Sequence, residues 1–163
     1  MAEQTKVTGV ILAGGLARRM NNQDKGLIQF KGRPLVSYAI DAMSAVADLT
    51  IISANRNIAD YQAFGLPVVS DQSDNFDGPL AGVLSGMIFA ETGALLVMPC
   101  DSPFVMAQHL QKLLSIQIEN DVDIAVAFDG ERLHPVFLAI NTALKPSLHA
   151  YLHSGQRKVD TWL

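Results

Sequence analysis

Three things are scarce in this chain, and each scarcity removes a class of answer. There is a single cysteine, Cys100, so no internal disulfide can form, and a lone thiol fits a reducing compartment. No apolar run approaches the roughly 20 residues that a membrane-spanning helix needs. The opening MAEQTKVTG carries no apolar segment of the signal-peptide kind. A cytoplasmic protein with no membrane role is the expectation. Basic charge is also short: 12 Lys and Arg stand against 16 Asp and Glu, a net charge of −4. That balance argues against nucleic-acid binding, which wants a basic face. It leaves room for a small anionic ligand held by local arginines and lysines. What remains is globular in composition, with 49% apolar and 17% charged residues, enough in 163 residues to bury one core. No repeat, low-complexity tract or long linker marks a boundary, so a single domain over 1–163 is expected.

Short runs rich in valine and isoleucine alternate with amphipathic stretches. Strands are expected at 7–13 (VTGVILA), 49–53 (LTIIS), 67–70 (PVVS), 94–99 (ALLVMP), 122–128 (VDIAVAF) and 134–140 (HPVFLAI). Helices are expected at 34–46, where Leu35, Tyr38, Ala39, Ala42 and Val46 recur at helical spacing, and at 57–64, 79–91, 106–117 and 142–155. Alternation of this kind gives an α/β fold, a mostly parallel central sheet covered by helices on both faces. Ligands of such sheets sit beyond the carboxyl ends of the strands, where the strand order reverses. Unusual polar chemistry stands at four such ends: Gly14 to Arg19, Ser53-Ala54-Asn55-Arg56, Asp71, and Cys100-Asp101-Ser102-Pro103. One cleft is the economical expectation.

The first of these, in VILAGGLARRM (10–20), is neither G-x-G-x-x-G nor G-x-x-x-x-G-K-S/T. Adjacent glycines admit a ligand close to backbone N–H groups. Arg18, Arg19 and Lys25 then supply charge for phosphate oxygens. A tight turn with solvated arginines is the plainer alternative. Two glycines, two arginines and a lysine within a dozen residues after a buried strand favour phosphate.

Together, LAGGLARRM and DKGLIQFKGRPL resemble the signature of nucleotidyltransferases that load a nucleoside monophosphate onto a phosphorylated acceptor. The double arginine, DKG, GPLAG (78–82) and PCDSP (99–103) narrow the resemblance to the molybdenum cofactor guanylyltransferases, over nearly the whole chain. It implies a Rossmann-like three-layer α/β/α fold of the nucleotide-diphospho-sugar transferase type. It implies GMP transfer from GTP to the phosphate of Mo-molybdopterin, with Mg²⁺ as cofactor. Molybdenum-insertion and accessory GTP-binding proteins are the implied partners.

Carried over residue by residue, the resemblance makes Asp101 the magnesium ligand, in keeping with the taste of Mg²⁺ for carboxylate and phosphate oxygen. The plainer alternative for Asp101 is a helix cap or turn residue. Lys25 meets the nucleotide phosphates, and Arg19 stabilises charge on the transferred group and the leaving pyrophosphate. Arg18 is an acceptor or phosphate contact, or a surface residue. Leu12, Ala13, Gly14 and Gly15 contact nucleotide through backbone, and Ser53, Asn55, Asp71 and Gly82 complete the nucleotide site. Ser53 stands where the family often has asparagine. Cys100 reads as a packed residue beside Asp101. His109, His149 and His153 fall on expected helices, and His134 belongs to a loop that the resemblance places near the acceptor. The chain ends at RKVDTWL, short of the strand and helix with which family members usually continue. That ending keeps open a GTP-binding variant without catalysis, and a relative of different specificity, a cytidylyl- or sugar-phosphate transferase, is the nearer alternative.

Overall fold

In a computed structural model, residues 6–13, 25–70 and 79–163 are described. Strand β1 (Val7–Leu12) is followed by a 3₁₀ turn over Lys25–Leu27 and a two-residue-per-strand hairpin, β2 (Gln29–Phe30) and β3 (Arg33–Pro34). Then come α1 (Leu35–Ser44), β4 (Leu49–Ser53), α2 (Ile58–Gln62), β5 (Val68–Val69), α3 (Pro79–Phe89) and β6 (Ala94–Pro99). The chain closes with α4 (Ala107–Glu119), β7 (Ile124–Phe128), β8 (Leu133–Asn141), α5 (Lys145–His153) and α6 (Val159–Trp162).

Among the described residues, six strands form one sheet in the order β5-β4-β1-β6-β8-β7. The β5–β4, β4–β1 and β1–β6 pairs are parallel, and β8 runs antiparallel to both β6 and β7. The expected mostly parallel sheet is present, with β8 as its exception. The reason is connection length: only four residues join β7 to β8, and a parallel pairing needs a crossover of a dozen or more. The hairpin is kinked, because Val126 pairs with Leu138 and the next residue, Ala127, with His134. Three residues, Pro135 to Phe137, bulge out on β8 and bend its start away from the flat ladder.

Strand residues alternate between two cores, as the period of two requires. Ile11, Ile52, Leu96 and Met98 face one side, where α1 and α4 lie, packed with Val36, Ala39, Met43 and Leu110. Val10, Ile51, Leu95 and Val97 face the other, against Leu80, Val83 and Met87 of α3 and Leu148 and Leu152 of α5. Three layers result. Helix α3 comes close enough only because Gly82 and Gly86 present no side chain to the sheet. A Cβ at Gly86 would stand 2.5 Å from Cγ2 of Val10, and one at Gly82 2.8 Å from Cδ2 of Leu12.

Elsewhere the structure adjusts the expected elements. Pro34 caps α1 and pairs in β3 instead of opening the helix. The expected helix at 142–155 is a 3₁₀ turn over Thr142–Leu144 followed by α5. The short α6 and the β2–β3 hairpin have no counterpart in the sequence reading. No described helix is long and apolar enough to cross a membrane.

Candidate active site

The strand order reverses at β1. From β1 the chain steps outward to β4 and β5, then returns across β1 to lay down β6 on its other side. The crevice at such a reversal opens beyond the carboxyl ends of the strands, here those of β1 and β6. The ladder continues one residue past the strands: Ala13 N–H donates to Ser53 O at 2.8 Å, and Cys100 N–H to Leu12 O at 3.0 Å. Ala54 N–H likewise donates to Val69 O at 2.9 Å. Ala13, Ala54 and Cys100, the first residues of the loops after β1, β4 and β6, are thus held in fixed register along one edge of the sheet.

Two expected site residues meet there. Lys25 Nζ lies 3.7 Å from Asp101 Oδ2. Half of the lysine side chain and a third of the aspartate remain open to solvent, so both can still engage a ligand. Asp101 is not a helix cap: α4 starts only at Ala107, capped by Met106, whose N–H donates to Nδ1 of His109 at 2.9 Å. Asp101 sits instead in the turn that follows β6, so of the plainer alternatives the helix cap is excluded and the turn position is observed, and His109 gains a structural role. Asn55 is exposed at the end of β4. Ser53 is 2% exposed, and its Oγ would lie 2.9 Å from a Cβ on Gly82. Ser53, Gly82 and Leu12 therefore pack against one another directly beneath the edge, and Ala13 is buried beside them. Gly14, Gly15, Arg18, Arg19 and Asp71 lie outside the described residues.

Cys100 is buried in the α1/α4-side core, the packed role expected of it. His149 and His153 lie on α5, their rings stacked 6.0 Å apart. His134, the second residue of β8, bonds to Asp129 through Nε2, 2.8 Å from Oδ2. Asp129 Oδ1 also accepts the N–H groups of Arg132 and Glu131. Those backbone donors, with His134, hold its carboxyl well below the ordinary carboxylate range. Since β7 runs parallel to β6, this hairpin tip projects from the same edge as Asp101.

Sequence reasoning missed three neighbours. Gly26 and Tyr61 pack under Lys25, and Phe104, 75% exposed, stands just after Asp101 with its ring edge against Phe30 at 5.7 Å. Only the apolar character of Phe104 next to a motif aspartate was a usable signal.

The oxygen donors present suit magnesium. Among the described residues no group of three or more His, Cys, Asp or Glu converges, as a protein-caged metal would need. Mg²⁺ instead takes one or two carboxylates and completes its shell with water and substrate phosphates, and the partly exposed carboxylate of Asp101 fits that demand.

A switch-point crevice with a lysine and a carboxylate at its mouth marks an α/β protein of the nucleotide-handling class. The comparisons agree. The MobA-like NTP transferase domain matches residues 9–163. A molybdenum cofactor guanylyltransferase from Shewanella loihica is 41% identical over 157 residues, covering 96% of this chain and 80% of the relative. Molybdopterin-guanine dinucleotide biosynthesis protein A from Archaeoglobus fulgidus superposes with a TM-score of 0.79 at 18% identity, over 95% of this chain and 77% of that one. A CMP:2-keto-3-deoxy-manno-octonic acid synthetase complexed with CTP shares the fold, with a TM-score of 0.71 at 13% identity, over 96% and 81%. The chain belongs to the MobA-like NTP transferases and, within them, to the molybdenum cofactor guanylyltransferase family.

Proposed function

We propose that the chain transfers GMP from GTP to the phosphate of Mo-molybdopterin, forming the molybdopterin guanine dinucleotide and pyrophosphate. The observation that carries this is the meeting of Lys25 and Asp101 at the β1/β6 crevice, in a chain so similar to named guanylyltransferases over 96% of its length. The acceptor phosphate is already a nucleophile. It attacks the α-phosphorus of GTP, a new P–O bond forms there, and the bond to the β-phosphate oxygen breaks as pyrophosphate leaves. No strong general base is required, so positioning and charge neutralisation carry the catalysis.

Roles follow from placement and sequence. Lys25 and Arg19 receive the phosphates, and Gly14 and Gly15, with the backbone of Leu12 and Ala13, cradle the nucleotide. Asn55, exposed after β4, contacts guanine or ribose, a role that the family resemblance also gives to Asp71. Ser53 and Gly82, buried against each other, form the floor. Asp101 holds Mg²⁺, which supplies Lewis-acid neutralisation of phosphate charge when bound. We place the reaction in the cytoplasm, where the Cys100 thiol stays reduced, with molybdenum-insertion and accessory GTP-binding proteins of the same pathway as partners. Calorimetric titration with GTP and with CTP tests the nucleotide assignment. GTP should bind at least about tenfold more tightly, which is about 1.4 kcal/mol. A preference for CTP would refute it.

A further inference from the structure

Lys25 and Asp101 come from distant parts of the chain, and what fixes their separation lies beneath them. Gly26 follows the lysine and Cys100 precedes the aspartate, and the two touch: a Cβ on Gly26 would stand 3.2 Å from Sγ and 3.3 Å from Cβ of Cys100. The same Cβ would lie 2.5 Å from the hydroxyl oxygen of Tyr61. We propose that Gly26, Cys100 and Tyr61 form a seat that sets the distance between Lys25 and Asp101, with Tyr61 as a positioning residue for the phosphate-binding lysine. This rests on the nucleotidyl-transfer reading above.

Tyr61 is the one buried residue of α2, and it is 0% exposed. The neighbouring helix residues Ile58, Ala59, Asp60 and Gln62 are all exposed. The helix thus serves mainly to plant one phenol under the loop. A ring enclosed on all sides cannot swing away, so its oxygen is a fixed stop and not the yielding tip of a flexible chain. The lysine's backbone is equally constrained. Ile28 N–H donates to Lys25 O at 3.2 Å, Leu35 N–H donates to Ile28 O at 2.9 Å, and Leu27 packs on the core that contains Tyr61 and Cys100. Only the lysine side chain is left to move. The seat holds its ammonium near the Asp101 carboxylate but at 3.7 Å, longer than a direct charge-assisted hydrogen bond. Both groups therefore stay available to a phosphate.

The test compares Gly26→Ala, Tyr61→Phe and the double variant. Each is measured by calorimetric GTP binding, by the steady-state KM for the acceptor, by hydrogen exchange of the 25–30 segment, and by a thermal melt. Gly26→Ala should weaken GTP binding about tenfold, as overpacking against a fixed atom displaces the loop, and should speed exchange in the segment. Removing the colliding oxygen in the double variant should recover most of both losses. Tyr61→Phe alone should weaken GTP binding about threefold while the KM for the acceptor stays unchanged. A merely structural role would lower the melting temperature and leave GTP affinity and the local exchange of the folded protein untouched, and that result overturns the proposal. So does a Gly26→Ala loss that Tyr61→Phe fails to relieve. If Gly26→Ala does not fold, Tyr61→Phe decides: wild-type affinity and wild-type exchange refute the seat. If the wild type itself does not bind GTP, the functional reading falls, while the exchange data still decide the seat.

Discussion

Replacing Gly86 by alanine sets two effects of known size against each other. Within a helix, Gly→Ala ordinarily stabilises by about 0.8–1 kcal/mol, because the glycine backbone loses more freedom on folding. Here the added methyl would lie 2.5 Å from Cγ2 and 3.4 Å from Cγ1 of Val10. Val10 is fully buried in the central strand β1, and a β-branched side chain has little freedom at χ1 to turn aside. Overpacking of this kind costs about 1–3 kcal/mol. An approach of 2.5 Å to a stiff, fully buried side chain puts the cost in the upper part of that range, about 2–3 kcal/mol, so the steric effect wins and leaves a net loss of about 1–2 kcal/mol. In a domain of this size that corresponds to a fall in Tm of roughly 2–8 °C. Urea denaturation and a thermal melt, both followed by far-UV circular dichroism, read it directly. Val10→Ala in the Gly86→Ala background should recover part of the loss, since the two residues share one space. A Gly86→Ala variant as stable as the wild type, or more so, would refute the close approach of α3 to β1.

Other outcomes follow from the same contacts. At Gly82 the atoms in the way are the rotatable ends of Leu12 and Ser53, so Gly82→Ala should destabilise less than Gly86→Ala yet weaken GTP binding, which calorimetry would show. Leu96→Ala, at a fully buried position of β6, should cost about 2–5 kcal/mol in urea denaturation. Lys25→Met should raise the KM for GTP and leave the fold intact, because the ammonium is half-exposed and its partner Asp101 retains access to water. For Asp129 the sign is fixed by its bonds. The folded carboxyl titrates below its unfolded value, so its stabilisation of the β7–β8 hairpin is complete above the unfolded pKa of about 4 and is lost as pH falls below it. The N–H groups of Glu131 and Arg132, which donate to it, should lose protection against hydrogen exchange, measured relative to their intrinsic rates at each pH, as the carboxylate is protonated, and Asp129→Asn should weaken that pH dependence.

Much of the fold was legible because two periodicities dominate it. The strands at 49–53 and 94–99 end where their apolar runs end. Continuous Val/Ile/Leu segments between amphipathic stretches permit little besides a sheet covered on both faces. The direction of β8 was not read from composition, although the four-residue connection from β7 carries it. The β2–β3 hairpin escaped because its strands are only two residues long. Its turn, at Lys31 (φ 52°) and Gly32 (φ 82°), rests on left-handed backbone that a Lys-Gly pair announces only weakly.

For the site, the rule that ligands sit beyond strand ends singled out Asp101 and Asn55, and the register of β1 with β4 and β6 explains why they share an edge; Lys25 was marked by the basic charge that follows the glycine loop and by the family resemblance. Ser53 and Gly82 were marked by motif, but their burial against each other depends on how far α3 descends onto the sheet, which no local pattern encodes. Tyr61 was invisible for a related reason. In a short exposed helix a tyrosine reads as ordinary core, and its position under Gly26 is a contact between segments far apart in sequence.

The central claim concerns a reaction, and product formation tests it most directly. The protein, incubated with GTP, Mg²⁺ and Mo-molybdopterin, should release pyrophosphate and yield the guanine dinucleotide in equal amounts. Asp101→Asn should reduce both about 100-fold or more. Full turnover by Asp101→Asn, or GTP binding with no dinucleotide formed by the wild type, would contradict the account.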